Sequence, residues 1–256
     1  MTARAAFRGY FEDRRRFSTV DPRPHARNRL RPLYRGENRR VMELISQTCA
    51  EFTRLLAGKN PVPGGGGAAA LCAALGIALG GMVGSLTAGK KDYAIHEDEL
   101  RRLMAEADRL REAFLALVEA DGEAFTPFVR ALGMRAETRA ERAGREAALE
   151  TARVTAAGPP LAIMEKCGEA LEILARFAET GSRLAVSDAG TGAALCRAAL
   201  AGASLNVYAN TRSMKDRDLA LRTDARAAEL LARYDPVAER VIQDVTARLR
   251  ARPVGV

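Results

Sequence analysis

Beyond residue 41, apolar positions recur at helical spacing. Leu44, Ile45, Phe52, Leu55 and Leu56 predict a first helix running from about Val41 to Gly58. An uncharged stretch, Asn60 to Gly89, follows. Its four glycines, Gly64 to Gly67, sit behind Pro61 and Pro63 and predict a loop, and Ala68-Ala69-Ala70-Leu71 predicts a helix start. Within that helix Gly76, Gly80 and Gly84 fall four apart, on one face, where another backbone can come close. Glu97 to Phe128 predicts a long helix with Leu100, Leu103, Leu110, Phe114, Leu117 and Val118 in its buried stripe, kinked or ended by Pro127. A charge-rich helix is expected from about Thr138 to Gly158, after which Pro159-Pro160 begins another through Phe177. Ser187-Asp188 is expected to cap an alanine-rich helix to about Asn210. Leu219 to Tyr234 and Pro236 to Leu249 read as two terminal helices, the second capped by Asp235.

Composition sharpens this into a fold class. Alanine, leucine, arginine and glutamate dominate and aromatics make up 5%, which favours helix over sheet. The expectation is an all-α, single-domain bundle of helices over residues 41–256, arranged around a buried, glycine-striped central helix. The segment Asn60 to Gly89 is long enough to cross a bilayer. Its hydrophobicity comes largely from alanine, glycine is frequent and no second such segment follows, so a soluble core helix is expected and no membrane partner.

Charge changes the picture only at the N-terminus. Residues 1–40 hold 12 arginines against 4 acidic residues, which accounts for the whole net charge of +8; the remaining 28 basic and 28 acidic side chains cancel. The basic character therefore belongs to an arginine- and proline-rich tail expected to be disordered, and nucleic-acid binding by the body is not expected. Cys49, Cys72, Cys167 and Cys196 are widely spaced and read as core thiols of a reducing cytoplasm.

Candidate chemistry is sparse. The two histidines, His25 and His96, have no neighbouring pattern of a triad or a metal site, so chemistry must rest on carboxylates, lysines and backbone groups. Asp121 lies four residues from both Leu117 and Phe125, on the buried side of its helix. A carboxylate there is either paired with an arginine of another helix or working. Gly64 to Gly67 would present N–H groups at a positive helix end, either to an anionic or carbonyl-bearing ligand or simply to a close-packed backbone. Gly84 to Lys91 imitates a phosphate-binding loop, but Lys91 occupies the hydroxyl position and the segment before it reads as helix, which excludes that motif.

Three blocks, PVPGGGGAAA, ALGIALGGMVGSLT and GKKDY, together with Asp121-Gly122-Glu123-Ala124-Phe125, resemble the cyclodeaminase/cyclohydrolase family, which processes one-carbon units on tetrahydrofolate. The resemblance runs over roughly residues 41–220. It implies hydrolysis of 5,10-methenyltetrahydrofolate to 10-formyltetrahydrofolate, with formiminotetrahydrofolate cyclodeamination and an inactive folate-binding scaffold as alternatives. It further implies Asp121 as acid/base, and Gly64, Gly65, Gly66, Lys90, Lys91, Asp188 and Asn206 as substrate contacts. The implied partner is a tetrahydrofolate derivative, polyglutamylated forms included, and the implied assembly a homodimer. No metal and no cofactor beyond tetrahydrofolate as carrier is expected. The sequence departs from the pattern at Met134-Arg135-Ala136, Glu150, Pro159-Pro160 and Ser182.

Overall fold

A computed structural model describes residues 43–251, so the arginine-rich segment 1–40 and His25 lie outside the described residues. All regular structure among the described residues is helical: α1 (Cys49–Leu56), α2 (Gly65–Thr87), α3 (Glu97–Leu132), α4 (Arg139–Thr180), α5 (Val186–Thr211) and α6 (Arg217–Arg250), with 3-10 turns at Leu44–Ser46 and Lys91–His96. The all-α expectation holds.

Several boundaries differ from the sequence expectation, each for a local reason. The first helix is not continuous, because Thr48 and Glu51 form a reciprocal capping box that starts α1 afresh. Three of the four glycines belong to α2, with Gly64 as its N-cap. Prolines 127, 159, 160 and 236 all lie inside helices. Pro127 and Pro236 are exposed, and the carbonyls they leave free, on Glu123 and Ala232, belong to exposed residues that water can reach. Pro160 is buried, and the acceptor it orphans, the Ala156 carbonyl, is taken instead by the Asn210 side-chain amide at 2.8 Å. The helix expected to break at Pro159 therefore runs unbroken for 42 residues. Similarly, Asp235 is no cap: it pairs with Arg197 of α5, and α6 is capped by Asp216 through the Leu219 N–H. Ala185 rather than Ser187 is the N-cap of α5, with Asp188 in its first turn.

The second half of α4 contacts α2, α3, α5 and α6. Ile163, Met164, Leu171, Leu174 and Phe177 of this segment are fully buried. Against it pack α2 and α5, which run antiparallel and meet at Gly76 and Gly192. A Cβ on Gly76 would stand 2.8 Å from the Gly192 carbonyl oxygen, and one on Gly192 would be 2.5 Å from the Gly76 oxygen. Only glycine permits this approach. Gly80 and Gly84 extend the seam against Leu174, Phe177 and Met104. The glycine stripe is thus buried, while the opposite side of α2 leaves Leu75, Met82 and Leu86 exposed.

Candidate functional site

The N-terminus of α2 abuts the middle of α3. The first intrahelical bond of α2 is from the Ala68 N–H to the Gly64 carbonyl, so the N–H groups of Gly65, Gly66 and Gly67 have no acceptor within the helix. Gly67 N–H donates to Asp121 Oδ2 at 2.8 Å. A Cβ on Gly66 would overlap Asp121 Oδ1 and lie 2.8 Å from Oδ2, so the bare glycine backbone is what lets the carboxylate reach the helix end. A Cβ on Gly65 would stand 3.1 Å from the Asn206 side chain, which places Asn206 of α5 on the third side of the same corner. Asn206 Nδ2 donates to the Gly202 carbonyl one turn back.

Asp121 is half-buried, and no lysine or arginine pairs with it among the described residues. Burial pushes its carboxyl above the usual aspartate range, and the Gly67 N–H pulls the other way. A carboxyl so placed keeps both oxygens near the site and can exchange a proton closer to neutrality than a solvated aspartate. A Cβ on Gly122 beside it would make ordinary contacts of 3.5 Å with Leu44 and 3.6 Å with Val62, so the packing there does not require glycine.

Lys90, Lys91 and Asp188 are not part of this corner. They lie at the other end of α2 and α5, where Ser182 N–H donates to Thr87 Oγ1 at 2.8 Å and Lys90 Nζ approaches Ser182 Oγ at 3.4 Å. With a rise of 1.5 Å per residue, Thr87 lies about 32 Å along α2 from Gly66, and Asp188 about 27 Å along α5 from Asn206. The sequence candidates therefore form two groups: Gly64 to Gly66, Asp121 and Asn206 at one end, Lys90, Lys91 and Asp188 at the other.

The departures acquire roles of their own. Glu150 Oε1 accepts the N–H groups of Lys215 and Asp216, at 2.7 and 3.2 Å, fastening the start of α6, and Glu150 also pairs with Arg153. Arg135 is exposed beyond the end of α3. Ser182 is buried and links the ends of α2 and α5. What residue reasoning missed was Gly67 as the donor to Asp121. The signal was present in the fourth glycine of the run, but the contact spans 54 residues of sequence and becomes visible only in space.

Comparison with known proteins places the chain in a family. Residues 48–229 match the family described as Formiminotransferase-cyclodeaminase. The chain is 35% identical to a methenyltetrahydrofolate cyclohydrolase of Methylorubrum extorquens over 204 residues, 80% of this chain and 98% of the relative. It is 30% identical over 188 residues to the formimidoyltransferase-cyclodeaminase of Gallus gallus, 73% of this chain but 35% of that longer protein. The structure of a formiminotetrahydrofolate cyclodeaminase from Thermotoga maritima superposes with a TM-score of 0.72 at 25% identity, covering 80% of this chain and 99% of that one. On the strength of the family match over most of its length, the chain belongs to the formiminotransferase-cyclodeaminase family.

Proposed function

We propose that this protein is a tetrahydrofolate one-carbon enzyme that hydrolyses 5,10-methenyltetrahydrofolate to 10-formyltetrahydrofolate, with Asp121 as acid/base. The observation that carries the reading is the half-buried, cation-free carboxylate held against the glycine N-terminus of α2. The methenyl carbon bridges two nitrogens and bears positive charge, which a carboxylate beside it stabilises. In the step, a water oxygen bonds to that carbon while Asp121 takes the water's proton. The bond from carbon to N5 then breaks as the new hydroxyl on that carbon gives up its proton to become the formyl carbonyl and N5, keeping the electron pair, takes up a proton, so the formyl group stays on N10. Overall, water is consumed and one proton is released. The free N–H groups of Gly65 and Gly66 suit a carbonyl or anionic group of the ligand.

The identity to the Methylorubrum cyclohydrolase, whose length the chain matches almost fully, favours this direction. Formiminotetrahydrofolate cyclodeamination is the second reading, supported by the name of the Thermotoga structure and by the upward shift of Asp121, since ammonia leaves only after gaining a proton. The reading includes a homodimer, a cytoplasmic setting and polyglutamylated folates among the substrates.

The test is loss of the near-ultraviolet absorbance of 5,10-methenyltetrahydrofolate, with wild type beside Asp121→Asn. Wild type accelerates hydrolysis, and the variant loses about 10²- to 10⁴-fold in turnover, the usual worth of a positioned acid/base. Folate binding without turnover of either substrate would instead mark a binding scaffold.

A further inference from the structure

We infer that the last three turns of α3 carry an aromatic shelf, Phe125 with Phe128, that binds the aminobenzoyl ring of the folate, the ring attached to N10 of the reacting one-carbon unit. This rests on the folate reading above, which supplies the ligand, and deepens it by assigning the two flanks of the Asp121 corner to the two ring systems of that ligand.

The shelf follows from where α2 stops. α2 and α3 run antiparallel, and the Gly67 N–H in the first turn of α2 meets Asp121, while α3 continues to Leu132. At 1.5 Å per residue, α3 therefore runs about 16 Å beyond that meeting point. Its apolar stripe runs on as well. Leu110, Phe114 and Val118 are fully buried, and Phe125, Phe128 and Leu132 continue on the side of Asp121, within about 40° of it around the helix axis. The cover does not continue. Past Asp121, Gly122 and Ala131 are the buried residues of α3, whereas Phe125 and Phe128 are half-buried and Leu132 is 49% exposed. The charged residues of this segment, Glu123 and Arg130, fall on the opposite side of the helix.

The rings belong to the Asp121 corner. Helical side chains lean toward the N-terminus, so Phe125 lies over the turn that holds Asp121, with their Cβ atoms about 5–6 Å apart. Phe128 stands beside it, ring centroids 5.5 Å apart and planes tilted by 34°, so the two rings form one apolar patch next to the carboxylate. Across Asp121 the chemistry reverses. There the N–H groups of Gly65 and Gly66 have no acceptor within the helix, and the Asn206 amide, whose Nδ2 is taken up by the Gly202 carbonyl, offers its Oδ1.

The ligand has the same two-sided character. N5 of the reacting unit belongs to the pterin ring, whose edge carries donors and acceptors that an apolar shelf would strand; the glycine N–H groups and Asn206 Oδ1 can complete them. N10 carries the aminobenzoyl ring, which has no polar atom within the ring and suits an aromatic surface. With the one-carbon unit at Asp121, polarity therefore sets the aminobenzoyl ring on Phe125 and Phe128. This orientation anchors the N10 side, which keeps the formyl group, while N5 departs.

The test compares the full-length wild type with Phe125→Leu, which keeps apolar bulk and removes the ring, and with Phe125→Tyr, which keeps the ring. Phe125→Leu should raise KM for 5,10-methenyltetrahydrofolate about 3- to 10-fold, the usual worth of an aromatic pair, and lower kcat by less. Inhibition by p-aminobenzoylglutamate should weaken by the same factor, and inhibition by tetrahydropterin should stay as in wild type. Phe125→Tyr should restore KM. If Phe125 only packs, the leucine variant lowers the urea midpoint and leaves KM and both inhibition constants unchanged, and the inference falls. It falls equally if tetrahydropterin is the fragment whose inhibition weakens, which gives the shelf to the other ring, or if millimolar p-aminobenzoylglutamate does not inhibit a wild type that hydrolyses the substrate. Failure of the folate reading looks different: wild type then neither binds nor hydrolyses 5,10-methenyltetrahydrofolate, and the shelf assignment is lost with it.

Discussion

The two sides of this bundle are built on opposite principles. On one side, α4 is tied to its neighbours by ion pairs in open solvent: Glu165 to Arg226, Glu172 to Arg233, Glu169 to Arg109, and Glu99 to Arg176. On the other side, α2 and α5 approach to backbone contact at Gly76 and Gly192 and leave an uncharged outer surface. Long, flexible side chains tolerate change and contribute little each, because water screens them. Glycine seams tolerate almost nothing. The candidate site sits at the end of the intolerant side, where Gly66 gives way to the Asp121 carboxylate, and this is why a chemistry so dependent on position can be held by so few polar groups.

The sharpest way to break the contrast is at its meeting point. Gly66→Ala should displace the Asp121 carboxylate and cost turnover about 10²-fold or more, read by methenyltetrahydrofolate hydrolysis, because the added carbon occupies the volume of Oδ1. Gly192→Ala, remote from the site but on the seam, should cost about 1–3 kcal/mol of stability in urea unfolding, since its Cβ meets the Gly76 carbonyl and the Leu174 side chain. Asn210→Ala should cost about 1–3 kcal/mol by stranding the Ala156 carbonyl beneath Pro160. Arg226→Ala, on the ion-paired side, should move the unfolding midpoint least of these, and high salt should mask even that.

Acidity sharpens the functional half of the comparison. Because the Asp121 pKa is raised on folding, the folded state binds the proton more tightly than the unfolded state. Stability contributed by this residue is therefore present at low pH and declines as pH rises from the ordinary aspartate range through the raised value. Asp121→Asn should remove that decline. If Asp121 acts as base, kcat/KM for hydrolysis rises with pH through the same raised value. If it acts as acid in ammonia release, kcat falls there. The two pH profiles separate the two readings of the reaction.

Much of the fold was legible because helix periodicity is a local property. The stripe of Leu100, Leu103, Leu110 and Phe114 is buried as its spacing predicts, and Thr138 opens α4 with a capping box where a helix start was expected. The prolines misled because their cost depends on where the orphaned carbonyl points, and a carbonyl facing water, or facing Asn210, removes most of it. The role of Glu150 was equally hidden, since its partners at Lys215 and Asp216 lie 65 residues away.

What the sequence determined by itself is the helical class, the glycine face of α2, and Asp121 as a carboxylate on a buried stripe, because these follow from spacing within one element. What only tertiary structure decided is which distant groups share a corner. Gly67 meets Asp121 and Gly65 meets Asn206 at one corner, whereas Lys90, Lys91 and Asp188 are carried to the far end, because α2 and α5 are long, antiparallel helices. A helix keeps residues in register along its axis but cannot fold back, so adjacency in a motif becomes distance in space.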